Sequence, residues 1–492
     1  MRKSAIILGM MLLGVMPCAA VGEGSLAANV FVPDSSVLNH KRSNPYRFKP
    51  LQLAIPGTLF TVGLVGCKSD WLIARNKEVQ EELQENIDGK FTIDDFIKKG
   101  DDMELLKQLS DNLIKRVDTR YLRYMYHIIP WQNRMTALVG PRGVGKTTLL
   151  LQYIKLNLNC SDTLYVSAES IYFASHTIFD TAMKFNQMGG KHLFIDEIHK
   201  YKGWATELKM IYDNLPDLQV IFTGSSVLDI YKGTADLSRR ALVFTMQGLS
   251  FREYIGMELG VDIPAYSLEQ IITNKVELPS EIEHPLALFS DYLRHGYYPF
   301  YQDEFFNMRV NQVVSMTLET DILQYANYSV AVSRKLKELM QVIADSVPFK
   351  PNMSTIATTI KADRNLLPDY FDLMERAGLI AQLHESTKGV RGLGKVEKVY
   401  LDNPNLAFAL SSTAPDIGNL LQTFFYNQMR VNQTVFNSPI SDFLIDGKTF
   451  EIGGKKKGQR QIAEAEEGYV VKDDIGSGFG NVIPLWAFGL NY

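Results

Sequence analysis

Gly140-Pro-Arg-Gly-Val-Gly-Lys-Thr147 lies between an apolar stretch, residues 136–139, and a helix-forming stretch that starts near Lys146. The pattern GxxxxGK[ST] in strand–loop–helix context is a phosphate-binding loop. Glycines let backbone N–H groups close round phosphate oxygens, and the N-terminus of the following helix adds partial positive charge. Gly140, Pro141, Arg142, Gly143, Val144, Gly145, Lys146, Thr147 and Thr148 are therefore the expected nucleotide-binding residues. Lys146 is placed to reach the β- and γ-phosphates, and the Thr147 hydroxyl to ligate magnesium, so the expected ligands are ATP and Mg2+.

Working outward, Lys191-His-Leu-Phe-Ile-Asp196-Glu197 is an apolar strand that ends in two carboxylates. In a parallel sheet that end faces the ligand crevice. Asp196 is expected to hold the metal, and Glu197 to polarise the attacking water. Val220-Ile-Phe-Thr-Gly-Ser-Ser226 is a third strand, ending in hydroxyls. Thr223 and Ser225 are candidates to sense a γ-phosphate, with helix capping by Ser225 or Ser226 as the competing reading. Arg239 and Arg240 follow; one of them, Arg239 or Arg240, is a candidate arginine finger, in this copy or a neighbour, against a plain surface ion pair.

The segments 136–139, 163–166, 192–195 and 220–222 alternate with helical patterns, which predicts an α/β fold with a parallel sheet wrapped by helices. Ahead of it, Leu105, Leu106, Leu109, Leu113, Ile114, Val117 and Leu122 recur at helical spacing. A mostly helical stretch covers 261–345, and two short helices with a hairpin are expected within 346–410. The remainder, 411–492, reads as a helix followed by strands, with many glycines between 453 and 480.

The 492 residues are 46% hydrophobic and 22% charged, a globular composition long enough for several domains. A net charge of -4 supplies no general attraction to nucleic acid. Cys18, Cys67 and Cys160 are far apart and form no CxxC pair, which argues against a disulfide framework and a zinc site.

The first hundred residues read differently. Met1-Arg2-Lys3, the apolar run 5–16 and Pro17-Cys18-Ala19-Ala20 have the layout of a signal peptide over 1–20. Residues 21–100 form an extension in which 51–67 carries no charge, at the short limit for a membrane-spanning helix; a buried core segment is the alternative. Basic residues flank it on each side, so charge does not settle orientation.

Residues 101–492 resemble a large group of bacterial and archaeal AAA-type P-loop ATPases that carry a C-terminal domain of unknown function. The resemblance rests on residues 139–148, Phe194-Ile-Asp-Glu-Ile-His199, Thr223-Gly-Ser-Ser226, Leu237-Ser-Arg-Arg240, Leu249-Ser-Phe-Arg252 and Tyr292-Leu-Arg-His-Gly-Tyr-Tyr-Pro299. It implies an ATPase core over 101–260, a winged-helix-like module over 346–410 and a degenerate tail of restriction-endonuclease-like fold over 411–492. In the tail, Asp442 and Glu451 stand where metal-binding acids would. The lysine expected two residues after the second acid is replaced by Gly453, so the tail is expected not to cut nucleic acid. Asp363, Asp369, Asp372 and Glu375 in the second helix of the winged-helix-like part oppose phosphate contact and favour protein packing over DNA. Residues 48–96 resemble the beginning of an exported type 2 phosphatidic acid phosphatase, without the catalytic motifs.

The expected function is hydrolysis of ATP coupled to a conformational change on an unidentified protein client, with homo-oligomerisation an open possibility. A slowly hydrolysing regulatory or defence-type binding module is the alternative, and a metal-dependent nuclease a third. An exported ATPase would lack ATP. The expected location is therefore an ATPase domain in the cytoplasm, with residues 51–67 as a membrane attachment if that stretch spans.

Overall fold

The computed structural model describes residues 102–492 except 225–236, 238, 327, 347, 387–394 and 412, together with the backbone of four earlier strands. Two compact units result, Met1–Asp101 and Asp102–Tyr492.

In the first unit the strands Pro17–Gly22, Ser25–Val30, Thr58–Val65 and Phe48–Ile55 lie side by side in that order. This corrects one expectation. The uncharged run 51–67 is not a spanning helix but falls largely on the antiparallel strands Phe48–Ile55 and Thr58–Val65, paired from Phe48↔Val65 to Ile55↔Thr58. Among the described residues no helix is long and apolar enough to cross a membrane. Residues 1–16, the core of the expected signal peptide, lie outside the described residues.

The second unit is built on a five-stranded, wholly parallel sheet. Its strands are β1 (Met135–Val139), β2 (Thr163–Ser167), β3 (His192–Asp196), β4 (Gln219–Gly224) and β5 (Leu242–Thr245), in spatial order β2-β3-β4-β1-β5. The fold is that of a P-loop NTPase. Four strands match the sequence pattern. The fifth, β5, was not among the expected strands: its apolar run Ala241-Leu-Val-Phe244 is only four residues long, and at the sheet edge Leu242 and Val243 are exposed.

The period of two is visible in the packing. Ala137, Val139, Leu164, Val166, Leu193, Ile195, Val220 and Phe222 feed one core, and the intervening Leu138, Tyr165, Phe194 and Ile221 feed another on the opposite face. A parallel sheet has to be covered on each face, and helices do this here. They are α1 (Asp102–Arg116), α2 (Lys146–Asn157), α3 (Ile178–Gln187) and α4 (Trp204–Asn214). In α1 the buried residues are Met103, Leu106, Ser110 and Ile114, whereas Leu105, Leu109 and Leu113 face outward, about half exposed. Two helical stripes were legible in that segment, and only contact with β2 and α2 selects the inner one.

Beyond the sheet, a mostly helical stretch leads to Met353–Thr359 and Leu367–Arg376 and an antiparallel pair, β6 (Ile380–His384) and β7 (Val396–Leu401). The tail opens with the helix Ile417–Met429. A mixed sheet follows of β8 (Val435–Asn437), β9 (Phe443–Ile445), β10 (Lys448–Gly453), β11 (Gly468–Lys472) and β12 (Val482–Pro484). β8, β9 and β10 pair antiparallel; β11 and β12 join in parallel. One continuous apolar core runs from Leu249 through this tail to Leu490.

Each face of the parallel sheet is covered from within residues 102–492, so a chain lacking residues 1–97 is expected to fold. It should give one cooperative thermal transition close to that of the full chain. A molten or aggregated product, seen by near-UV circular dichroism and gel filtration, would make the first unit part of the core.

Candidate functional site

Three glycines with positive φ, Gly140, Gly143 and Gly145, shape the loop from β1 to α2. Gly140 has φ 155° and lies so close to the Met246 carbonyl that a Cβ there would overlap it. Gly145 has φ 97° and is the residue from which α2 starts. Lys146 is 5% exposed, and its ammonium donates to the carbonyls of Gly140 at 2.9 Å and Pro141 at 2.8 Å. Burial lowers its pKa to about 8, against the opposing charges of Glu197 and Asp196.

The register of the sheet brings the remaining groups to this loop. Ser167 pairs with Asp196, Ile195 with Phe222 and Leu138 with Thr223, so β2, β3, β4 and β1 end together. The Asp196 carboxylate, 4% exposed, accepts hydrogen bonds from Thr147 Oγ1 at 2.6 Å, from the Tyr165 hydroxyl at 2.8 Å and from the Thr223 hydroxyl. Burial and the Asp196 charge raise the Tyr165 pKa well above that of a free phenol, which keeps it a donor. Glu197 adopts a left-handed φ of 52°, and its N–H donates to Thr223 Oγ1 at 3.1 Å. That conformation costs about 1–3 kcal/mol in a non-glycine residue. It turns the chain sharply after Asp196, so that two consecutive carboxylates leave the strand in different directions. His199 Nε2 lies 3.5 Å from Glu197 Oε2. Burial lowers the His199 pKa to about 3, so the imidazole is neutral beside this carboxylate.

A hydroxyl and a carboxylate meeting at 2.6 Å, a buried ammonium and a glycine-shaped loop form a donor set that fits a phosphate chain with a hard divalent cation. Residues 132–255 match the family described as AAA domain. The site lies within the stretch that matches this family. Residues 286–416 match a domain of unknown function, DUF8612. An uncharacterized protein of Methanocaldococcus jannaschii is 24% identical over 322 residues, which cover 61% of this chain and 64% of that protein. The chain thus matches somewhat less than two thirds of its curated relative's length. Among solved structures, PCH-2 of C. elegans is 21% identical, covering 32% of this chain and 44% of that one, with a TM-score of 0.19. The Hsp104–ADP complex of S. cerevisiae is 14% identical, covering 56% and 40%, with a TM-score of 0.24. A katanin self-assembly structure is 13% identical, covering 59% and 86%, with a TM-score of 0.22.

Not every expected residue of the AAA domain reaches the site. Thr148 is exposed on α2. Ser225 lies outside the described residues. Arg240 rests on Asp213 at the end of α4, with Nε 3.0 Å from the carboxylate, near the Tyr212 ring. Within this chain Arg240 is thus seen in the ion pair that competed with the finger reading.

Other groups were missed. Arg123, 5% exposed, donates to Glu253 at 2.7 Å, to the Val144 carbonyl at 2.7 Å and to the carbonyls of Gln247 and Gly248 at 2.9 Å each. Glu253 also accepts from Tyr124 N–H at 2.8 Å and closes a capping box with Ser250. The Ser250-x-x-Glu253 spacing was a legible cap signal; nothing local announced Arg123 as its partner. Tyr165, Lys200 and Asp321 carried no motif at all.

In the tail the two acids pair internally. Asp442 accepts from Ile452 N–H at 2.9 Å and Gln422 at 2.9 Å, with Lys398 at 3.4 Å. Glu451, 1% exposed, is held by the Ser441 hydroxyl and the Lys457 ammonium. Lys455 lies instead on Asp474. A Cβ at Gly453 would stand 2.7 Å from Lys457 Cδ, so the Lys457 stem fills the space that a side chain at 453 would take. Among the described residues no group of three or more His, Cys, Asp or Glu is placed to hold a metal. The tail's carboxylates do not form such a set.

Two outcomes follow. Arg123→Ala leaves Glu253 buried without its cation, and such losses cost about 3–5 kcal/mol; urea unfolding of the mutant should show a correspondingly lower midpoint. The free Lys146 amine titrates near pH 8 because burial disfavours its charge, and bound phosphates would raise that value. Ligand binding therefore takes up a proton above pH 8, and affinity for a fluorescent ATP analogue should fall there by up to about tenfold per pH unit. An affinity flat from pH 7 to 9.5 would contradict the assignment of Lys146.

Proposed function

We propose that the AAA domain binds ATP with magnesium and hydrolyses it, and that the modules after it convert nucleotide occupancy into movement on a protein client. The observation that carries this reading is the meeting of Thr147, Asp196 and Thr223 beside the buried Lys146 ammonium. Such a cluster serves no packing purpose that an apolar core would not serve at lower cost.

Each residue has a role in this reading. Lys146 exchanges its two carbonyl acceptors for phosphate oxygens. Thr147 and Asp196 hold the cation, which when bound neutralises charge on the phosphates. Glu197 orients the attacking water and accepts its proton. The neutral His199 adds no positive charge of its own beside the Glu197 carboxylate. Thr223 fixes the Glu197 backbone and one Asp196 oxygen at once, a positioning role rather than contact with the ligand. Arg240 would act as a finger only towards a neighbouring copy, which requires assembly.

The tail is proposed to be a packing module rather than a nuclease, because Lys457 and Lys398 neutralise its two acids from within.

Lys146→Ala should reduce phosphate release to background and weaken ATP binding strongly, since the phosphates lose their main fixed counter-charge. Glu197→Gln should bind ATP as the wild type does while turning it over at least about a hundredfold more slowly, within the range of a lost general base. Wild-type rates in either mutant, measured by phosphate release under saturating MgATP, would remove the assignment.

A further inference from the structure

Asp321 lies 179 residues from the P-loop in sequence, within the match to the domain of unknown function, yet it touches that loop. It ends a wide helical turn, Thr317–Asp321, and its side chain is 1% exposed. Arg142, the third residue of the P-loop, donates to it through Nε at 2.7 Å and Nη2 at 3.0 Å. Lys200, three residues past Glu197, donates to the same carboxylate at 3.2 Å. The pairing resists desolvation: burial would raise the Asp321 pKa, but the bond and charge of Arg142, with Lys200, hold it below the usual carboxylate value.

A buried carboxylate next to a site for a polyanion is repulsive unless it does something for the cations around it. The two-point grip fixes the plane of the Arg142 guanidinium and leaves Nη1 uncommitted among the described residues. Arg142 lies in the field of Glu197, and Lys146 in the fields of Glu197, Arg142 and Asp321. With Lys200, three residues past Glu197, on the same carboxylate, the guanidinium stands on the Glu197 side of the P-loop. The surrounding packing is of the same origin: Phe300 stands 3.1 Å and Tyr298 3.4 Å from where a Cβ of Gly143 would be, and Pro299 3.5 Å from that of Gly145.

We propose that Asp321 is a positioning residue of the nucleotide site, supplied by the downstream module, which aims Arg142 and Lys200 at the terminal phosphate. This rests on the ATP reading above. It gives the domain of unknown function a part in the site: a triphosphate and a diphosphate differ in the phosphate at which that module aims Arg142 and Lys200. Arg142 then contributes to ATP over ADP discrimination, and Asp321 acts only through Arg142 and Lys200.

The test compares the affinities of fluorescent mant-ATP and mant-ADP in a Glu197→Gln background, and steady-state turnover in the wild-type background, for Asp321→Asn and Arg142→Lys. Arg142→Lys keeps the charge but loses the two-point grip, and its partly exposed position tolerates the change if Asp321→Asn fails to fold. The expected result is a preference for mant-ATP that falls at least about fivefold, mant-ADP affinity within about twofold of the parent, and kcat at saturating ATP at least about tenfold lower. The Asp321→Asn/Arg142→Lys double mutant should be no worse than the more affected single mutant, as residues acting as one unit are non-additive. Equal weakening of the two nucleotides, or an unchanged preference with unchanged kcat, would reduce the contact to a structural bridge and overturn the proposal. Failure of the Glu197→Gln parent to bind either nucleotide would instead remove the ATP reading itself.

Discussion

The second unit depends on one buried guanidinium. Arg123 precedes the sheet, and its donors are spent on the carboxylate of Glu253 and on the carbonyls of Val144, Gln247 and Gly248. Those acceptors belong to the P-loop, the exit from β5 and the helix Phe251–Leu259 that follows it. Hydrogen bonds to charged groups are stronger than neutral ones, and a charge with no water to replace its partners cannot easily let go. The conformation of the phosphate loop is therefore tied to the segment before the sheet and the helix after it.

Around that anchor the chain returns repeatedly to the same place. Ser250 Oγ and Arg252 Nε each donate to the carbonyl of Tyr492 at 2.8 Å, and the Tyr124 and Tyr492 rings meet edge to face at 5.1 Å. Tyr292 donates to the Leu249 carbonyl at 2.6 Å and lies within the aromatic cluster of Phe251, Phe289 and Phe424. The downstream modules thus share one continuous core with the segment 249–255 that follows the parallel sheet, while the two faces of the sheet have cores of their own.

The site combines strain with saturation. Glu197 holds a left-handed backbone, and Asp196 has three hydroxyl donors, so these two carboxylates are constrained before any ligand arrives. Preorganisation of this kind removes reorganisation from the reaction itself. In the tail, by contrast, the acids at 442 and 451 have taken cationic side chains as partners. The same residue types lead to different chemistry because a lysine stem can lie over Gly453, where no side chain competes for the space.

What the sequence alone determined was local: the P-loop, the strand that ends in Asp196 and Glu197, four of the five parallel strands and the replacement of a lysine by Gly453. These are short-range patterns, because a glycine-shaped turn, an apolar run and a helix start lie within a few residues of one another. Tertiary structure alone decided which stripe of α1 is buried, that residues 51–67 pair as strands, that β5 completes the sheet and that Arg240 rests on Asp213. It also chose Arg123, Tyr165, Lys200 and Asp321 as neighbours of the site. A buried ion pair is specified by two positions whose separation along the chain is arbitrary, 130 residues for Arg123 and Glu253 and 179 for Arg142 and Asp321. No periodicity or spacing encodes such a meeting; it exists only once packing has removed the water that would otherwise solvate each charge.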